Sequence, residues 1–253
     1  MPKKIVIYTA VFGNDKNFNA LTSYFPGFDF ICFTDKKIES SKWKIKQVKS
    51  DLSAEILNRK YKILAHKYLK EYDVSLYIDG NIKILKNPKK FIYRALKTSN
   101  FIVSKHFLRK CVYDEAFVLL KSSRFNSYLI FKQIFQYAIE GMPENYGLSE
   151  NSILIRNHNK IEVMAIMKKW WKEIVSYSHR DQLSLPYVCY KNRFNLFMTN
   201  ENKRKNNFFS FIDNKYRITF FKLFKSLFWI FLYFLFIKII LRVRSVKKCQ
   251  LDA

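Results

Sequence analysis

The sequence predicts an α/β fold: a mostly parallel, Rossmann-type sheet flanked by helices, followed by an apolar, basic C-terminal helix. Three observations carry this expectation. Short β-branched and apolar runs alternate with stretches of helical periodicity through the first half of the chain. Only 5 glycines and 5 prolines occur in 253 residues, too few for a many-turned all-β sandwich. Hydrophobic residues make up 49% and aromatic residues 18%, enough to build a core and to exclude global disorder.

The elements follow in order. Residues 3–12 form the expected first strand and residues 28–35 (FDFICFTD) the second. Residues 43–49 (WKIKQVK) alternate apolar and polar, as a half-exposed strand does. Over residues 52–72, Ile56, Leu57, Tyr61, Leu64, Tyr68 and Leu69 recur at helical spacing. Strands are expected again at 74–78 and 101–104, then a long helical stretch between Glu115 and Ile139. Ile161, Met164, Met167, Trp171, Ile174 and Val175 trace one face of a later helix. Ser178 and Asp181 have the spacing of a capping box, and Pro186 argues against a long helix through it unless the helix kinks. Polar, charged residues 200–207 (NENKRKNN) read as a linker. The expected organisation is thus a domain over 1–199, a linker over 200–207 and a membrane-associating tail over 208–253.

The formal net charge is +26, which predicts attraction to polyanions: nucleic acid, an anionic membrane face or phosphorylated small molecules. Residues 201–253 hold 12 Lys/Arg against 3 Asp/Glu. The aromatic residues form no RNA-binding motif, so nucleic acid is not the expected partner. Cys32, Cys111, Cys189 and Cys249 lie far apart without a CxxC, against a disulfide framework or a structural zinc site. Reduced thiols in a cytoplasmic setting are expected, and MPKKIVIYTAVFG reads as a strand rather than a signal peptide.

Residues 226–237 (SLFWIFLYFLFI) carry no charge, and only Lys238 interrupts the apolar run before Leu241. Twelve helical residues span ~18 Å and sixteen ~24 Å, against a hydrocarbon core of ~30 Å. Lys215, Arg217, Lys222 and Lys225 precede the run, and Arg242, Arg244, Lys247 and Lys248 follow it. An in-plane helix on an anionic membrane surface is therefore expected. A helix packed on the domain and a true span are the alternatives.

In sheets of this kind, ligands gather beyond the carboxyl ends of the strands. Three such ends coincide: residues 9–13, Thr34-Asp35 and Asp79-Gly80-Asn81. Asp-Gly-Asn is good turn chemistry in its own right. It also offers a carboxylate and an amide oxygen to a hard cation that neutralises a diphosphate leaving group, Mn²⁺ or Mg²⁺. Arg59, Lys62 and His66, spaced i, i+3 and i+7, share a helical face from which cations could meet phosphates. A solvated basic face is the plain alternative.

YTAVFG (8–13), DFICFTD (29–35), RKYKILAHKYL (59–69), YIDGNI (77–82), KHFLRKCVYDEA (105–116), GMPENYGLSENSILIRNHN (141–159), WW (170–171) and HRDQLSL (179–185) together resemble the TOD/MUCI glycosyltransferase-like domain family. The resemblance covers roughly residues 3–195 and leaves the tail outside. It implies a GT-A-like fold and transfer of a sugar from a nucleotide-sugar donor to a glycan or lipid-linked acceptor. It further implies that Tyr8, Thr9, Ala10, Gly13 and Asp35 hold the nucleotide. Asp79 and Asn81 take the place of the acid-x-acid metal motif, with an amide at the last position. Asp181 and Gln182 match the Asp-Gln pair near donor sugar and acceptor, where Asp181 would orient or deprotonate a hydroxyl. His158 or His179 is a candidate late metal ligand. A non-catalytic basic module for polyanionic glycan, membrane or RNA is the second reading.

Overall fold

The computed structural model describes residues 3–13, 24–122, 125–200, 207–211 and 223–244. The elements run β1 (Ile5–Val11), β2 (Asp29–Thr34), β3 (Lys44–Gln47), α1 (Ala54–Ile63), α2 (Ala65–Tyr68), β4 (Val74–Ile78), β5 (Ile82–Ile84), α3 (Lys89–Leu96), β6 (Phe101–Lys105), α4 (Val112–Ser122), α5 (Ser127–Ile139), β7 (Ser149–Arg156), α6 (Ile161–Ser176), α7 (Asp181–Lys191), β8 (Phe197–Thr199), β9 (Phe209–Phe211) and α8 (Leu223–Leu232). A π-helical segment, Tyr233–Lys238, continues α8, and helix persists to residue 244. The chain divides into two compact units. The first draws on residues 1–107, 149–172 and 194–214, the second on 108–148, 173–193 and 215–253.

The first unit is built on a seven-stranded sheet in the order β3-β2-β1-β4-β7-β6-β8. β1 pairs in parallel with β2 and β4, β2 with β3, and β6 with β8. Only β7 runs against its neighbours, pairing antiparallel with β4 and β6. β1, β4 and β7 are buried along their whole length, and for β1 and β4 this is why the sequences read as largely apolar runs rather than alternations. The chain steps outward from β1 to β2 and β3, then returns to place β4 on the other side of β1. The crevice at the carboxyl ends of β1 and β4 is therefore the switch point, where such sheets bind ligands.

One face of this sheet is apolar. Ile5, Ile7, Phe30, Cys32, Leu76, Ile78, Ile153 and Ile155 join Phe91 and Ile92 of α3 and Phe209 of β9 in one core. β9 reaches that core by pairing antiparallel with β5. Tyr8, Tyr77 and Arg156 lie on the opposite face.

The second unit is helical. Tyr137 of α5 stacks on Tyr187 of α7, ring centroids 3.7 Å apart, and its hydroxyl donates to Glu173 at 2.8 Å. In the tail helix, Tyr233, Ile237 and Leu241 recur at i, i+4 and i+8 and are buried. Tyr233 packs on Phe117 of α4 at 5.2 Å, and Trp229 on Phe131 of α5 at 5.6 Å. Leu227, Phe228, Phe231, Phe234, Leu235, Phe236 and Ile239 are exposed. No helix among the described residues is long and apolar enough to cross a membrane.

Several expectations needed correction. The helix expected over 52–72 breaks at Leu64 (φ −88°, ψ 41°) into α1 and α2. The stretch from Glu115 to Ile139 is two helices, the second capped by Asn126 Oδ1, which accepts from Leu129 N–H at 3.2 Å. Ser178 is not the N-cap of α7: its hydroxyl donates to Gln133, and Arg180 takes the cap position. Pro186 lies inside α7, where burial from Asp181 to Cys189 outweighs the lost helical bond. β7 was not expected as a strand, because four polar residues begin it. Cys32, Cys111 and Cys189 are free thiols, while Cys249, the linker residues 201–206, Lys215, Arg217, Lys222, Lys247 and Lys248 lie outside the described residues.

Candidate functional site

Asp79 is the first residue beyond β4. Its N–H donates to Ser152 O at 2.9 Å, and its own carbonyl accepts from Ile82 N–H at 2.9 Å, closing a tight turn over Gly80 and Asn81. Its carboxylate Oδ1 accepts from the Tyr77 hydroxyl at 3.0 Å and from Lys62 Nζ at 3.3 Å. The Lys62 side chain is 2% exposed and that of Asp79 33%. A buried ammonium thus meets a carboxylate that opens toward solvent.

The end of α1 explains how a lysine comes to be buried there. The break at Leu64 leaves the last α1 carbonyls without helical donors. Arg156 of β7, wholly buried, donates to Lys62 O at 2.9 Å and to Ile63 O at 3.2 Å, and also to the Tyr8 hydroxyl. Tyr8 in turn donates to Lys62 O at 2.8 Å. A cation is favoured at a helix C-terminus, and this one fixes the register that points Lys62 at Asp79. Burial lowers the Arg156 pKa, partly offset by Tyr8. Burial pushes Tyr8 up to about 12 despite Arg156, and burial with the Asp79 carboxylate holds Tyr77 well above 10. Both tyrosines are therefore neutral donors at physiological pH.

The other expected residues fall into three groups. Gly13, Asp35, Arg59, Asn81, Lys62 and Asp79 all belong to the first unit, just beyond strand ends or on α1. Gly13 has φ +70°, and a Cβ there would lie 2.8 Å from Ala54 Cβ, so glycine is required twice over. Its N–H donates to the Asp35 carboxylate at 3.0 and 3.2 Å, and Arg59 donates to Asn58 Oδ1 at 2.8 Å.

Tyr8, Thr9 and Ala10 are nearly or wholly inaccessible. The Tyr8 hydroxyl is committed inward, the Ala10 carbonyl accepts from Asn58 at 2.6 Å, and Thr9 alternates onto the apolar face with Ile7. Their packing fixes the carboxyl end of β1 at the switch point.

His158 is a larger correction. Because β7 runs antiparallel to β4, Arg156 sits opposite Ser75 while Ser152 meets Asp79. His158 therefore lies beyond the amino end of β4, at least on the order of 13 Å along the strand from Asp79. Its Nε2 is 2.8 Å from Leu69 O, and burial pushes its pKa down to about 4. It cannot share a cation with Asp79. His66 is also buried and pushed down to about 4 by burial and neighbouring cations, so it does not meet phosphates as a cation.

His179, Asp181 and Gln182 belong to the second unit. Asp181 and Gln182 open α7 and are buried. Arg180 beside them donates to Gln182 Oε1 and, at 3.0 Å, to Glu115 Oε1; Arg109 holds Glu115 Oε2 at 2.6 Å. Burial opposes the Glu115 charge, but Arg180 and Arg109 outweigh it and hold its pKa below the usual range.

Sequence reasoning missed Arg156, Tyr77 and Ser152. Arg156 left a signal: a lone cation ending the buried apolar run ILIR.

Among the described residues no group of three His, Cys, Asp or Glu side chains could hold a metal ion. Asp79 and Asn81 supply one carboxylate and one amide. That set fits a hard cation that keeps its waters and shares oxygens with a bound diphosphate, not one held by protein alone. The Lys62 ammonium beside Asp79 further disfavours a dication held by these two residues alone.

A mostly parallel sheet with an acid-glycine-amide tip at its switch point, over a buried lysine, defines a GT-A-like α/β domain. A solved glycosyltransferase shares this fold: the apo structure of the WbbM bifunctional glycosyltransferase matches with TM-score 0.50 and 9% identity over 79% of this chain and 39% of that one. The chain belongs to the TOD1/MUCI70 glycosyltransferase-like domain family, whose model matches residues 31–218. The match begins after YTAVFG and reaches further into the tail than the resemblance in the sequence did. A relative is the probable hexosyltransferase MUCI70 of Arabidopsis thaliana, 26% identical over 137 residues, 50% of this chain. The chain spans 23% of that protein's length.

Proposed function

We propose that this protein is a glycosyltransferase that moves a sugar from a nucleotide-sugar donor to a glycan or lipid-linked acceptor at a membrane surface. The observation that carries the reading is Asp79 at the switch point, held by Tyr77 and the buried Lys62. Lys62 and Arg59 provide positive charge toward the diphosphate, and the bond from Gly13 N–H to the Asp35 carboxylate ties the end of β1 to that of β2. A divalent cation, Mn²⁺ or Mg²⁺, bound between Asp79, Asn81 and the diphosphate would supply Lewis-acid stabilisation of the leaving group. Asp181 and Gln182, in the second unit, are the proposed acceptor-side residues on their chemistry alone, Asp181 as base or orienting group and His179 as a further polar neighbour.

The test is thermal stability across a panel of nucleoside diphosphates, with and without Mn²⁺. One nucleotide should stabilise the protein, by about 2.7 kcal/mol at a hundredfold excess over Kd, and more so with Mn²⁺. Mn²⁺ alone should do little. Asp79→Asn should abolish the metal-dependent part and slow donor turnover about a hundredfold or more. No stabilisation by any nucleotide in a folded sample would overturn the reading.

The exposed face of the tail helix supports the membrane part of the proposal: Phe228, Phe231, Phe234, Leu235 and Ile239 are open while Tyr233, Ile237 and Leu241 are packed beneath. Such a helix would lie in the plane of an anionic, cytoplasmic membrane face, with Arg242 and Arg244 at its end. Phe231→Glu with Phe234→Glu should abolish co-sedimentation with anionic phospholipid vesicles. Undiminished binding by this variant would end the proposal.

A further inference from the structure

β7 begins Ser149-Glu150-Asn151-Ser152, four polar residues in succession, each no more than 7% exposed. The pairing with β6 is irregular just there. Val103 pairs with Leu154, but the next residue, Ser104, pairs with Glu150, so residues 151–153 are surplus on the β7 side. Bulges of this kind re-aim side chains and recur beside active sites. On its other side, β7 keeps register with β4 as far as Asp79, whose N–H donates to Ser152 O. Residues directly opposite in an antiparallel pair share a face, with Cβ atoms about 5 Å apart. Ser152 therefore stands beside Asp79 on the same face.

Ser149 Oγ and Ser152 Oγ are buried and have no hydrogen-bond partner among the described residues. A hydroxyl taken from water without a partner costs about 1–3 kcal/mol. Ser152 lies in the bulge beside Asp79 and Ser149 just before the bulge, paired with Lys105; both unpartnered hydroxyls are explained if a ligand supplies the partners. Hydroxyls are neutral and each can both donate and accept, which suits the hydroxyls of a sugar ring rather than a phosphate. The charged groups at the site, Lys62 and Arg59, already answer to the phosphates.

We propose that the Ser149–Ser152 segment opening β7 is the part of the donor site that reads the transferred sugar, with Ser152 and Ser149 bonding its ring hydroxyls. This rests on the donor reading above and adds to it the residues that select the sugar. Ser75 supplies the internal comparison: it too is buried without a partner among the described residues, but it lies at the far end of β4 from Asp79.

The experiment compares binding of a nucleoside diphosphate with that of its sugar conjugate, by calorimetry on the full chain. The variants are Ser152→Ala, Ser149→Ala and, as control, Ser75→Ala. All three should fold at least as stably as the parent, since each deletes an unsatisfied hydroxyl. Ser152→Ala and Ser149→Ala should bind the nucleoside diphosphate as the parent does. They should lose about tenfold of the extra affinity that the sugar confers. Ser75→Ala should keep it. Retention of the full sugar increment in both the Ser152→Ala and Ser149→Ala variants would overturn the inference while leaving the donor site intact. So would a parent protein that binds the conjugate no better than the diphosphate. A parent that binds neither would overturn the donor reading and this inference with it.

Discussion

The two faces of the first unit's sheet are made by alternate residues of the same strands. One face, with Ile7, Leu76, Ile78, Ile153 and Ile155, closes an apolar core against α3 and β9. The other buries Tyr8, Tyr77, Lys62 and Arg156 and ends at Asp79 and Ser152. Burial on the first face is favourable by roughly 25 cal/mol per Å² of apolar surface removed from water. On the second it opposes the charges, and each buried polar group must find a partner. Arg156 and Tyr8 find theirs in the carbonyls at the end of α1; Ser152 finds none among the described residues. The comparison teaches that the first face makes the fold stable, whereas the second holds a costly polar arrangement in one geometry at the strand tips.

That contrast can be broken at Arg156. Arg156→Met should destabilise by about 3–5 kcal/mol, because it strands the carbonyls of Lys62 and Ile63 and the Tyr8 hydroxyl. It should also weaken nucleotide binding, since Lys62 loses its anchor. Denaturant titration and nucleotide binding on the same sample give both numbers. Leu76→Ala, on the apolar face, should cost a comparable ~2–5 kcal/mol yet leave nucleotide affinity unchanged below the unfolding transition. If both variants, measured while folded, bind alike, the two faces do not divide the work in this way.

A smaller effect concerns pH. Burial pushes the His158 pKa down to about 4, so the imidazole is neutral in the folded chain. The unfolded chain takes up that proton first, near pH 6.5, so the native state is fully favoured above 6.5 and loses ground as pH falls toward 4. The loss is about 3 kcal/mol on the order of the shift. His66 adds a contribution of the same sign. His158→Gln, which can keep the bond to Leu69 O, should flatten the stability curve between pH 6.5 and 4 without affecting nucleotide binding. An unchanged slope would mean that His158 is not buried neutral.

Much of this was legible in the sequence. The central strands β1 and β4 were readable because runs buried on both faces are largely apolar, β3 because its half-exposed residues alternate, and Asp79-Gly80-Asn81 stood out because it ends such a run. Gly13 and Asp35 could be placed at strand ends for the same reason. The sequence could not show that His158 sits at the wrong end of the sheet, because the direction of β7 is set by pairing with residues some 80 positions away. Nor could it show Tyr8 and Thr9 turned inward, since which of two strand faces is lined by helix is decided by packing.

By itself the sequence determined the α/β class, the family and the acid-glycine-amide tip, because local periodicity and short motifs are properties of neighbouring residues. Only the tertiary structure decided that Lys62 is buried against Asp79, that Arg156 holds it there, and that Ser152 stands beside them. Those contacts join α1, β4 and β7, and no local rule links residues whose meeting depends on strand order, register and the point at which a helix breaks.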